Sequence, residues 1–196
     1  MTTSRNDQSI NAAGEISARR NVDRDALGAG ARLTSELVWR ALHKQSFAVL
    51  GYSTPAGDPR SSGVVYGLTS GTLCVAVAPD SWKAKHIAAS GRVSVTVPIR
   101  RGGLLALIFP IPPATVSFHG KAIVRRADSA EGTAILAELG SLLPPERRTS
   151  AVLIEIAPED EFLTYGLGVS LRDMRVPAVA RAHVPVASSA SLHEGA

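Results

Sequence analysis

Apolar and polar positions along the chain set out one helix, then a run of short strands. Residues 31–43 place Leu33, Leu37, Val38, Ala41 and Leu42 at three-and-four spacing, which predicts an amphipathic helix. Phe47 to Tyr52 reads as a strand, and Pro55-Ala56-Gly57-Asp58-Pro59 is a cluster of turn formers. Ser61 to Leu68 reads as a second strand, Ser70-Gly71 as a hairpin turn, and Thr72 to Ala78 as a third strand. Three strands on short turns imply an antiparallel meander. In Pro79 to Gly91, Asp80 or Ser81 stands where a helix cap belongs, and Gly91 where a helix ends. Arg92 to Val97 alternates polar and apolar residues, as a half-buried strand does. Thr115 to Arg125 reads as a strand, Ala130 to Leu142 as a helix, and Ala151 to Ile156 and Phe162 to Leu167 as strands. The pattern is mainly β with a few inserted helices. It fits a closed or split antiparallel barrel, or an α+β sandwich. A parallel dinucleotide-binding sheet does not fit, because the βαβ rhythm and a Gly-x-Gly-x-x-Gly turn after a strand are missing.

Composition sharpens this in three respects. With 196 residues, 45% hydrophobic and 19% charged, the chain is ordinary globular material for one domain with tails. Residues 1–28 are polar and read as a flexible arm, 29–178 as the barrel domain, and 179–196, Ala/Ser-rich at the end, as a tail. The single Cys74 lies in an apolar run and reads as a buried thiol. The net charge of +4 is spread over short Arg pairs with no basic stripe. That argues against nucleic acid as a partner and suits an anionic small molecule. The longest apolar run, Leu104 to Pro113, is broken by Pro110, Pro112 and Pro113 and falls short of the ~20 residues a membrane span needs. No secretory signal is visible at the N-terminus, so the expected compartment is the cytoplasm. The apolar run itself is expected to pack across a dimer, cover a bound ring, or touch a lipophilic substrate.

The chemistry concentrates after the third strand. A helix N-terminus offers free backbone N–H groups and a partial positive charge, and so attracts phosphate. Ser81 adds a hydroxyl there, and Lys83 and Lys85 add cations. By itself this pattern supports either an anion site or a solvated, well-capped helix. Tyr66 reads as a ring contact or a half-buried strand residue, Trp82 as packing on the barrel rather than closing a cofactor pocket, His86 as exposed, and His119 as core or surface rather than an acid. No Ser/His/Asp triad and no metal-spaced His/Cys cluster stands out, which argues against a hydrolase or zinc enzyme.

These segments, taken in order, resemble the pyridoxamine-phosphate-oxidase-like family of flavin and deazaflavin split barrels. The residues concerned are Gly57-Asp58-Pro59-Arg60, Ser61 to Tyr66, Leu73 to Val77, Ser81-Trp82-Lys83-Ala84-Lys85-His86-Ile87, and Gly91 to Val97. Tyr165-Gly166 and Met174-Arg175 add a likeness to members that use the deazaflavin F420. The resemblance implies an antiparallel split β-barrel with peripheral helices, a homodimer, and a cofactor held near the shared interface. It assigns Lys83 to the cofactor phosphate, with Ser81 assisting. Arg60, Ser61 and Ser62 fall at the start of a cofactor-facing strand. Val64, Val65 and Tyr66 fall along the ring system, and Val77 and Ala78 near the ribityl chain. Val77 and Tyr66 replace a Thr and a Lys of pyridoxamine phosphate oxidases proper, which argues against that particular activity.

The leading expectation is therefore an oxidoreductase that binds FMN, or alternatively F420, and transfers hydride to an unidentified small molecule, for which the apolar run points to a poorly polar one. F420 would draw its longer anionic tail toward Lys85, Arg60 and Arg100. The alternatives are a non-catalytic haem, tetrapyrrole or flavin-binding module, and a dimeric interaction protein with a vestigial pocket.

Overall fold

The computed structural model describes residues 33–101, 111–139 and 151–187. The arm 1–28, Leu104 to Pro110 of the apolar run, the end of the helix expected to reach Leu142 and the last nine residues lie outside them.

Helix α1 spans Ser35–His43, one turn shorter at its start than the apolar spacing suggested. Thr34 explains its beginning: its backbone is extended, and its hydroxyl accepts a hydrogen bond from Leu37 N–H at 3.4 Å. Val38, Trp39 and Leu42 turn into the protein. The strands are β1 (Phe47–Ser53), β2 (Pro59–Val65), β3 (Gly67–Thr69), β4 (Thr72–Val77), β5 (Arg92–Ile99), β6 (Ala114–Arg126), β7 (Val152–Pro158), β8 (Glu161–Tyr165) and β9 (Arg181–Pro185). Three further helices are α2 (Trp82–Ser90), α3 (Ala130–Leu139) and the short α4 (Pro177–Ala180).

All pairings are antiparallel, in the order β2-β1-β5-β6-β7-β4-β3, with β8 on β6 and β9 on β8. The long strand β6 organises the barrel. Its second half, from Gly120, pairs with β7, and its first half, Thr115 to Ser117, pairs with β8. Between β7 and β8 the register slips at Glu159 and Asp160, and Asp160 takes a positive φ of 55°. Such a bulge bends a strand and changes its neighbours. Below it the next strand is β4; above it the next is β9. This divergence splits the barrel.

The core lies between the curled sheet and α1. Leu50, Val95, Val97, Val116, Ile154 and Phe162 are buried. Trp39 and Phe118 meet Phe162 edge to face, at centroid distances of 5.3 and 5.6 Å, a geometry that contributes about 0.5–1.5 kcal/mol per pair beyond burial. Helix α3 covers a smaller cluster in which Ile135 packs on Cys74 and Leu153.

Two expectations change. The first three strands are not a simple meander. The run from Ser61 breaks at Tyr66, so β3 leaves β1 and pairs only with β4, which itself joins β7 on the far side. Tyr66 causes the break. Its N–H donates to Ser46 O at 2.9 Å and its hydroxyl to Leu42 O at 2.7 Å, drawing the chain inward under α1. The barrel also continues past residue 178. Arg181–Pro185, expected in the tail, pairs with β8 along its length. Ala182 and Val184 point inward and Arg181 and His183 outward, an alternation masked by the small-residue composition around it.

Candidate functional site

Helix α2 seals one end of the barrel because Ala84 and Ile87 are buried while its other face stays open. Gly91 ends it at φ 64°, a conformation L side chains rarely adopt, and its N–H donates to Ile87 O at 2.8 Å. At the start, Ser81 occupies the cap position, but its hydroxyl makes no capping bond. The first-turn N–H groups and the Ser81 hydroxyl therefore face the same end of the helix as Lys83. Lys83 is half-buried, and among the described residues neither it nor Arg60 has an ion-pair or hydrogen-bond partner. Val77, half-buried, and Ala78, exposed, lead directly into this helix start. Ser81 N–H donates to Ala78 O at 3.0 Å and fixes the approach.

The β1–β2 ladder sorts the other expected residues by face. Arg60 pairs opposite Tyr52, Ser62 opposite Leu50, and Val64 opposite Ala48. Leu50 and Ala48 are fully buried, so Arg60, Ser62 and Val64 share the inward face; Ser61 and Val65 lie on the outward one. Tyr52 meets His86 of α2 at a centroid distance of 6.1 Å, so this inward face looks toward α2. β2 also approaches β4 across the opening of the barrel. The Tyr52–His86 contact thus ties β1, the neighbour of β2, to α2. A cleft of roughly 410 Å³ opens beside Arg60, lined also by Gly51, Ser53, Pro59, Arg92 and Ser94; Ser62, Lys83 and His86 are not part of its lining.

Two polar atoms on β2 and α2 are shielded from solvent without a hydrogen-bond partner: Ser62 Oγ and His86 Nδ1. Native proteins rarely leave such atoms unsatisfied, so each calls for an explanation, and a bound ligand is one.

Three residues sit differently from expectation. Tyr66 is 1% exposed, and its phenol is committed to Leu42 O, so it presents no group to a ring system. Burial also pushes its ionisation well above the ordinary tyrosine range. Trp82 does not pack on the barrel: it is 71% exposed, with Lys85 Nζ 4.9 Å from its ring centroid. His86 is half-buried between Tyr52 and Trp82 rather than exposed.

A second cleft, roughly 300 Å³, was not apparent from the sequence. It lies on the outward face of β6, β8 and β9, where Arg181 and His183 reach past Leu163 and Tyr165. Glu161 holds His183 Nδ1 at 2.8 Å, and the Tyr165 hydroxyl donates to Met174 O at 2.7 Å. The available signal was Arg181-Ala182-His183, which sets both polar groups on one face of any strand. His119, also on the outward face, meets Asp160 at 3.1 Å. Among the described residues no cluster of His, Cys, Asp and Glu is suited to a metal ion, and no helix is long and apolar enough to cross a membrane.

No family model and no curated protein matches the sequence. Solved structures do match. The haem storage protein HutZ from Vibrio cholerae superposes with a TM-score of 0.56 at 15% identity, over 69% of this chain and 98% of that one. A haem-binding protein from Mycobacterium smegmatis gives 0.54 at 19% identity, over 74% and 59%. An FAD-binding protein from Mesorhizobium loti gives 0.50 at 17% identity, over 65% and 89%. The chain shares the antiparallel split β-barrel fold with these proteins.

Proposed function

We propose that the chain is a redox protein that binds a flavin-type cofactor, FMN or alternatively F420, in the region between α2 and the inward face of β2. The observation carrying this reading is the unpartnered Ser62 Oγ beside Arg60, across from a helix start whose Lys83 is also unpartnered. That donor set fits a phosphate: two cations, two hydroxyls and free backbone N–H groups. Lys83, Arg60 and Ser81 would hold the phosphate, with Ser62 as a further donor. The outer edge of β2, which has no strand partner among the described residues, would offer backbone groups to the ring. When bound, such a cofactor supplies the hydride chemistry, and the chain need only bind, orient and exclude water. This accords with the absence of any acid–base constellation among the residues named. The substrate class stays open, a small molecule being the expectation.

A second copy of the chain is part of this proposal. Phe47, Val49, Val65 and Leu163 are exposed along the outward face, and Gly51 and Gly63 keep that face low between them. Exposed apolar groups of this kind, with Thr96 and Ser117 between Val49 and Leu163, fit an interface between copies. Light scattering that finds only monomers would remove this element.

A haem-binding reading is favoured by one specific feature, His183. Its Nδ1 is held by Glu161, the arrangement that orients an imidazole for axial ligation, and it opens on a cleft. The likeness to HutZ and to the M. smegmatis protein adds to it. Titration of the full chain with FMN, F420 and haem separates the readings. FMN or F420 binding that Lys83→Ala weakens supports the first. A Soret band that His183→Ala abolishes supports the second. Flavin binding indifferent to Lys83→Ala overturns the phosphate assignment.

A further inference from the structure

Trp82 is the most exposed of the large hydrophobic side chains among the described residues, at 71%. Burying such a side chain contributes about 1.5–3 kcal/mol, so an indole left in water next to an anion site needs a reason. Its neighbours orient the ring. Lys85 Nζ lies 4.9 Å from the ring centroid, and the His86 ring lies 6.0 Å away, tilted by 44°. His86 is backed in turn by Tyr52. The result is an indole on the first residue of α2, directly after Ser81, with the Lys85 ammonium over one face, which leaves the other face for stacking. The other exposed apolar groups on β1, β2 and β8 belong to the sheet; Trp82 stands on the helix that closes the barrel end.

A mononucleotide flavin ends at its phosphate. A dinucleotide continues through a second phosphate to a purine. Beyond Lys83, the groups suited to that extension are Lys85, for charge, and Trp82, for stacking. Aromatic side chains bind bases through such stacking with little need for hydrogen-bond readout. We propose that Trp82 is the stacking platform for the purine of a dinucleotide cofactor, so that this chain takes a flavin–adenine dinucleotide in preference to FMN, with Lys85 neutralising the second phosphate. The inference rests on the flavin reading above.

The test is an equilibrium titration of the full chain with FAD, FMN and riboflavin, in the wild type, Trp82→Ala and Trp82→Phe. FAD is expected to bind the wild type about tenfold or more tighter than FMN, the scale of one base–aromatic stack. Trp82→Ala should erase that advantage while leaving FMN within about twofold; Trp82→Phe should keep most of it. FMN binding with no preference for FAD overturns the platform and leaves the flavin reading standing. So does an equal loss of FAD and FMN in Trp82→Ala. Light scattering on the same variants covers the rival role: dissociation of a dimer by Trp82→Ala would assign the indole to the copy–copy contact and overturn the proposal. A wild type that binds neither flavin removes the flavin reading itself, and the platform with it.

Discussion

Two regions of this barrel are built in opposite ways. At the α2 end, the cations come from separate segments, Arg60 on β2 and Lys83 on α2, and neither has a partner among the described residues. At the β8–β9 hairpin, Arg181 and His183 are neighbours on one strand, and His183 is already held by Glu161. On β2 and α2 two shielded polar atoms, Ser62 Oγ and His86 Nδ1, have no partner, whereas the hairpin satisfies its histidine internally. An unsatisfied donor set costs stability until a ligand completes it. A histidine fixed by a carboxylate is prepared for a specific contact at its other nitrogen. On the reading proposed above, the α2 region would hold the cofactor, and the hairpin cleft would take a visitor or a metal-bearing ring.

The largest test of that contrast is Lys83→Ala. Losing a charge-assisted phosphate contact should weaken FMN by about 10–100-fold, at roughly 1.5–3 kcal/mol, and leave riboflavin, which lacks the phosphate, unchanged. Fluorescence titration of both ligands reads this directly; equal losses would mean that Lys83 supports the helix rather than the phosphate. Next in size is Arg60→Ala set against Ser61→Ala. The register puts Arg60 on the inward face and Ser61 outward. Arg60→Ala should weaken FMN by about tenfold, and Ser61→Ala by less than about twofold, the usual scale for a surface change. A reversal of that order would place the cofactor on the outward face. His183→Ala is expected to leave FMN affinity within about twofold, as for independent sites. If it weakens FMN as much as Lys83→Ala does, the two clefts are one composite site assembled across a pair of copies.

How much of this was legible in the sequence follows from the physics of each signal. The strands β5 and β6 alternate cleanly because one face of each is buried, and their ends came out within a few residues. Helix α2 could be placed because Gly91 has a backbone reason to stand where it does. The bulge at Glu159-Asp160 was not visible: its positive φ falls on an aspartate rather than a glycine, and only the slipped register reveals it. β9 was lost to composition, since Ala182 and Val184 are small for inward residues. Lys83 and Arg60 could be nominated singly, but which face of β2 Arg60 takes and how β1 meets α2 depend on the β1–β2 register and on Tyr52 meeting His86. Short-range patterns cannot carry that kind of information. The exposure of Trp82 was also opaque, because a tryptophan at a helix start usually packs.

The smallest expected effect concerns Tyr66, which the resemblance places along the ring and the structure places under α1. Its hydroxyl bonds to the last turn of α1, at Leu42 O, so Tyr66→Phe should cost about 1 kcal/mol of stability through one buried hydrogen bond. Its ionisation supplies an independent check. The folded state holds the phenol protonated well above the ordinary value of 10.0. The unfolded chain therefore releases this proton first as the pH rises. The stabilisation is complete below about pH 10 and falls as the pH climbs past it. Chemical denaturation between about pH 9 and pH 11 should show the wild type losing stability with a slope that Tyr66→Phe lacks. Cofactor affinity should not change in the same variant. If FMN weakens or its absorption band shifts in Tyr66→Phe, the phenol reaches the bound ring, and the separation between a buried scaffold and a cleft that opens on α2 fails at this residue.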